Sequence, residues 1–116
     1  MKIAIVHYHL QPGGVTRVIE NTLQAWEENG TEIEAVVLSG RACPGDRLPN
    51  THVVEGLDYS SPSNAIDPRI LTERIRRSAR DALGQAPDLW HIHNHSLGKN
   101  PSLGATVSLL AERGER

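Results

Sequence analysis

Two adjacent glycines, Gly13 and Gly14, stand where a hydrophobic run ends and an amphipathic segment begins. Glycine lets the backbone adopt φ > 0 and lets a ligand approach the main chain closely. The free N–H groups of a following first helical turn, at the positive end of its dipole, favour a phosphate or another anion. Arg17 falls in that turn and adds a cation that can support a phosphate. A second polar group, His91-Ile92-His93-Asn94-His95, closes a later apolar run. Alternate strand residues share a face, so His7 and His9 project together ahead of the glycines, with Tyr8 on the opposite face. His93, at a predicted strand tip, is the candidate for a functional hydrogen bond. His9 is a candidate ligand contact or, equally, a hydrogen-bonded structural histidine. His91 is expected between sheet and helix, and His95 in a loop.

The spacing narrows the chemistry. A dinucleotide site shows G-x-G-x-x-G and an acidic residue at the end of the second strand. No third glycine follows Gly14, and Glu34 falls near the start of its predicted strand, pointing away from a ribose. The pattern G-x-x-x-x-G-K-[ST] is absent. A metal site needs three or four convergent ligands, and no Asp, Glu or Cys near the histidines completes a set. Neither a metal nor a cofactor is expected. Cys43 has no partner base nearby in sequence and reads as inert. The alternative for Gly13-Gly14 is a turn that only closes a tight strand-to-helix connection.

Stepping outward, 116 residues suffice for one α/β domain. The formal net charge of −2, with mixed signs, marks no nucleic-acid-binding surface, and no nucleic-acid partner is expected. A single cysteine excludes an internal disulfide framework and fits a reducing cytoplasm. No apolar run approaches a membrane span, and the start is too brief and polar for a signal peptide. With no Phe, the core must be Ile, Val, Leu and Ala, which suits strands covered on both faces.

Strand and helix patterns alternate. Strands are predicted over 2–9, 32–38, 52–57 and 87–93. The first helix carries Val15, Val18, Ile19, Leu23 and Trp26 on its inner stripe and stops at Asn29-Gly30. The second opens on Asp67-Pro68, places Ile70, Leu71, Ile75, Ala79, Ala82 and Leu83 inward, and ends near Gly84. The third opens on Asn100-Pro101, with Leu103, Val107, Leu110 and Ala111 inward and Gly114 as its stop. Of the second helix's arginines (Arg69, Arg74, Arg76, Arg77, Arg80), Arg77 has Glu73 and Asp81 four residues away, so the helix shows a solvated face. Peripheral membrane contact is the alternative. This order implies right-handed crossovers and a Rossmann-like, mostly parallel, doubly wound sheet, in which a strand order of 3-2-1-4 would leave the fourth strand as an open edge. Such sheets bind ligands at the strands' carboxyl ends, where both polar clusters fall.

The runs Lys2-Ile3-Ala4-Ile5-Val6, Pro12-Gly13-Gly14-Val15, Glu28-Asn29-Gly30-Thr31-Glu32-Ile33 and Pro87-Asp88-Leu89-Trp90-His91-Ile92-His93-Asn94 come in an order that is itself informative. Together they resemble the N-terminal, acceptor-side domain of a GT-B retaining glycosyltransferase of the family 4 type. The resemblance spans most of the chain outside residues 40–86. It implies that Gly13 and Gly14 approach a donor diphosphate; His9, Asn94 and Arg17 are the further candidate substrate contacts, with a merely solvated arginine the alternative for Arg17. It implies that His93 contacts the donor sugar near the reacting centre. The partners it implies are a nucleotide-diphosphate sugar, an acceptor, and a C-terminal donor-binding domain beyond this chain. The 1–116 domain is then expected to be incomplete at its C-terminal end, inactive alone, and open to self-association through an edge strand. The other readings are a non-catalytic Rossmann-like or flavodoxin-like nucleotide- or phosphate-binding domain, and a response-regulator-like module. The last would need an acidic cluster at the strand tips.

Overall fold

The computed structural model describes residues 1–11, 13–30, 32–42, 50–59, 63–93 and 100–115. Strand β1 (Lys2–His7) leads into helix α1 (Gly14–Glu28), followed by β2 (Glu34–Ser39), β3 (Thr51–Val53), α2 (Pro68–Leu83), β4 (Leu89–Ile92) and α3 (Pro101–Glu112). The strands form one parallel sheet of order β3-β2-β1-β4, the order that leaves β4 at an edge. Both faces are covered, because side chains of a strand alternate. Ile3, Ile5 and Val37 point to α1, where Ile19 is fully buried and Val15, Leu23 and Trp26 pack partly buried. Ala4, Val6, Val36, Leu38 and Trp90 point the other way, into a larger core with Leu71, Ile75, Ala79 and Leu83 of α2 and Leu103 and Leu110 of α3. The protein is a doubly wound, Rossmann-like α/β domain.

Two helices begin and end on strong local signals. Asp67 Oδ1 accepts from the Arg69 amide at 2.8 Å, and Pro68 takes the first helical position. Gly84, at φ 77°, ends α2 in the left-handed conformation that glycine adopts without strain. Asn100 caps α3 through Ser102 N (3.0 Å) and Leu103 N (3.3 Å). Helix α1 ends at Asn29, with Gly30 at φ 62°.

Strand boundaries differ from expectation where pairing partners run out. β1 stops at His7 rather than residue 9, because β2 ends at Ser39 and β4 at Ile92. β2 opens at Glu34 rather than residue 32, since β1 supplies no partner before Lys2. β3 has three residues instead of six, because the chain turns through Gly56, at φ 94°, with Leu57 N bonded to Val54 O. β4 is confined to the four residues that pair with Ile3–Val6. The helical stripes are also narrower. Val18 (51% exposed), Ile70 (49%) and Ala111 face outward, whereas Thr106 is buried between Leu103 and Leu110. Glu73 bonds Arg76 (3.3 Å) and Arg113 (2.7 Å), not Arg77.

Candidate functional site

In a doubly wound sheet the crevice opens where successive connections leave neighbouring strands in opposite directions. Here that point lies between β1 and β4: from β1 the chain passes through α1 to β2, and β4 lies on β1's other side. The carboxyl ends of these two strands carry His7 and His93. His93 N donates to Val6 O at 2.9 Å, which fixes the tip of β4 against β1. His7 Nδ1 lies 3.4 Å from His93 O; a carbonyl only accepts, so His7 carries its proton on Nδ1. The His7 and His93 rings stand 6.2 Å apart, edge to face, and His7 is 5.6 Å from His9. His91 does not pack between sheet and helix as expected. It is exposed, because α1 covers β1 and β2 but not this face of β4, and its ring is 4.3 Å from that of His93.

Burial depresses the proton affinity of three rim histidines. It lowers His93 to about 4, aided by His91 and His7. His7 is lowered by burial, against the opposing hydrogen bond to His93 O. His9 is lowered by burial and then by the Arg41 guanidinium. All three are therefore neutral at neutral pH and offer one donor and one acceptor each.

The glycine pair lies beside this rim, but not for the conformational reason expected. Gly13, the N-cap of α1, is extended at φ 167°, Gly14 is the first helical residue, and neither adopts the left-handed conformation. What the glycines provide is space. A Cβ at Gly14 would meet nothing within 4 Å, and one at Gly13 only Gln11 O at 3.9 Å. Among the described residues no side chain caps α1, whereas Asp67 and Asn100 cap α2 and α3. The first N–H groups of α1 therefore have neither an intrahelical partner nor a side-chain cap among the described residues. Arg17 is exposed in the same turn.

A further polar group escaped the sequence reading. Arg41, after β2, forms an ion pair with Asp58, after β3. Its guanidinium lies 5.8 Å from the centre of the Tyr59 ring, and Tyr59 Oη lies 3.0 Å from His9 Nε2. Arg41 and Asp58 are 17 residues apart and His9 and Tyr59 are 50, with no motif to link them. Asn94, His95 and Cys43 lie outside the described residues.

Larger grooves exist elsewhere. One of about 540 Å³ runs between β3 and α2, past Val53, Ile70 and Arg77; another, of about 840 Å³, lies between the start of α2 and α3. Neither touches a rim histidine. Among the described residues, strand tips, the start of α1 and the histidines of lowered proton affinity fall together at the rim, which makes it the candidate site. Among the described residues no three His, Cys, Asp or Glu side chains are arranged to hold a metal ion, and no helix is long and apolar enough to cross a membrane.

The fold is that of a Rossmann-like α/β domain, with the start of α1 and the rim histidines at the carboxyl ends of its strands. No family model, no characterised protein and no solved structure matches the chain.

Proposed function

We propose that this chain is the acceptor-side half of a retaining GT-B glycosyltransferase, which moves a sugar from a nucleotide-diphosphate donor to an acceptor. The observation that carries the reading is an α1 N-terminus without a side-chain cap, after β1, at the same carboxyl rim as neutral His93, after β4. In this reading the diphosphate lies against Gly13 and Gly14, where the first amides of α1 and the helix dipole stabilise the charge that grows as it departs. Arg17 adds a cation to the same turn. His93 offers a neutral hydrogen bond to the sugar. A second domain would close the other side of the cleft and hold the rest of the donor.

Gly14→Val in the intact enzyme tests this. The new side chain meets no protein atom within 4 Å where its Cβ begins, so folding should survive while nucleoside diphosphate binding is lost. A folded Gly14→Val enzyme that binds as well as the parent would refute the phosphate assignment. His93→Ala should lower turnover roughly 10- to 1000-fold, the range for one polar contact realised in the transition state.

One observation favours a second reading, a non-catalytic phosphate-binding domain. Asp58, the described carboxylate that faces the rim cluster, is committed to Arg41, which leaves no free carboxylate there as acid or base. Diphosphate binding by the intact protein with no detectable sugar transfer would favour it.

A further inference from the structure

The loops after β1, β2 and β3 are joined by contacts that the proposed transfer does not use. The Gln11 amide donates to His9 Nδ1 at 3.2 Å. An accepting Nδ1 bears no proton, so neutral His9 carries its proton on Nε2. That N–H meets Tyr59 Oη at 3.0 Å. Tyr59 is itself held: its ring is edge-on to Tyr8 at 5.2 Å and to His9 at 5.0 Å, and its amide donates to Asp58 Oδ1 at 2.7 Å. The loop after β2 also packs closely against the loop that carries Tyr59, since a Cβ at Gly40 would fall 2.2 Å from Asp58 N. On the other side, Gln11 O accepts from Thr16 Oγ1 in the first turn of α1 at 2.7 Å. Gln11 is therefore gripped at both ends of its backbone, its amide by His9 and its carbonyl by α1.

We propose that Tyr59 is a positioning residue for the glycine turn, acting through the His9 ring on the Gln11 amide. Its functional weight rests on the reading that Gly13 and Gly14 meet a diphosphate; the grip on Gln11 does not. The arrangement holds only while His9 is neutral. A protonated ring has N–H on both nitrogens, and its Nδ1–H would oppose the Gln11 N–H, donor against donor. Among the described residues, the titratable and charged groups around His9 are His7 on β1, Arg41 after β2, and Asp58 and Tyr59 after β3. Burial and Arg41 disfavour the proton, and Asp58 opposes them.

Nitrogen NMR of the His9 ring and hydrogen exchange of the Gln11 amide test the proposal. At neutral pH the parent should show the Nε2–H tautomer. Tyr59→Phe should shift the His9 ring signals and lower Gln11 protection about 5- to 10-fold, the effect of one lost hydrogen bond, while Val37 in the sheet keeps its protection. In the parent, acid titration of His9 should lower Gln11 protection in step with the ring signals. An Nδ1–H tautomer in the parent, or Gln11 protection indifferent both to Tyr59→Phe and to His9 protonation, would overturn the proposal. Should Tyr59→Phe fail to fold, the parent's tautomer and titration decide. Titration of the intact enzyme, parent and Tyr59→Phe, with uridine diphosphate separates the two readings. Weaker binding by the variant supports the link and equal binding by both refutes it, whereas a Gln11 response with no binding by either intact protein upholds the positioning role and refutes the diphosphate.

Discussion

His93 is the residue whose chemistry departs furthest from its free behaviour, and the direction of the departure sets a pH dependence. Its affinity for a proton falls from an ordinary 6.5 to about 4 on folding, through burial first and then the neighbouring His91 and His7. Between those values the unfolded chain holds a proton that the folded chain does not. Stability must therefore rise with pH across this window and fall as pH drops from about 6.5 toward 4. Below about 4 both states are protonated and this contribution levels off. His7 and His9, also lowered, add to the same trend. Urea melts between pH 7 and 4 should show that loss of stability, and His93→Asn should flatten it. A melt midpoint unchanged from pH 7 to 4.5 would contradict the assignment of a half-buried, neutral imidazole. His93 was legible in the sequence because strand period and strand tip are local properties. Tyr59 was not: its value comes from a partner 50 residues away and from neighbours supplied by two other loops.

At the scale of elements, the three helices differ in how they start, and that difference should be measurable. Asp67 gives α2 one cap bond, so Asp67→Ala should cost about 1 kcal/mol. Asn100 does more. Its Oδ1 caps α3, and its Nδ2 donates to Gly56 O at 2.7 Å and Asp58 O at 2.6 Å, which ties the start of α3 to the loop after β3. The side chain is almost wholly buried, so Asn100→Ala removes the cap and leaves two carbonyls without their donor. The expected cost is about 2–4 kcal/mol, read by chemical denaturation. Equal costs for the two substitutions would mean that the carbonyl contacts contribute nothing. The pairs Asp67-Pro68 and Asn100-Pro101 made both helix starts legible, because capping is decided within four residues. Strand lengths were less so, since a strand ends where its neighbour does. The outward turn of Val18 and Ile70 was hidden for the same reason: helical period says which residues share a stripe, not how wide a surface the sheet offers it.

For the molecule as a whole, the order β3-β2-β1-β4 leaves two edges. β3 is protected by brevity, but β4 presents four residues with Leu89 41% exposed, beside a face that α1 does not cover. Unpaired edge backbone with apolar neighbours recruits other strands. Light scattering on residues 1–116 should therefore find concentration-dependent association, and Leu89→Lys should reduce it. A strict monomer at every concentration would show that the edge is inert. The same topology governs how the chain is made. β1 lies in the middle of the sheet, yet its contacts with the β4 end join residues 86 positions apart, among them His7 with His93. On a ribosome adding ~5–20 residues per second, the first strand waits on the order of ten seconds for its second neighbour. Throughout that interval Ile3, Ile5 and Val6, all buried in the finished domain, are without part of their cover. The histidine rim cannot exist in any nascent chain shorter than its last strand, so its appearance marks completed folding. Chaperone dependence during synthesis should accordingly track the delay to β4, and a circular permutant that places β4 directly before β1 should shed it.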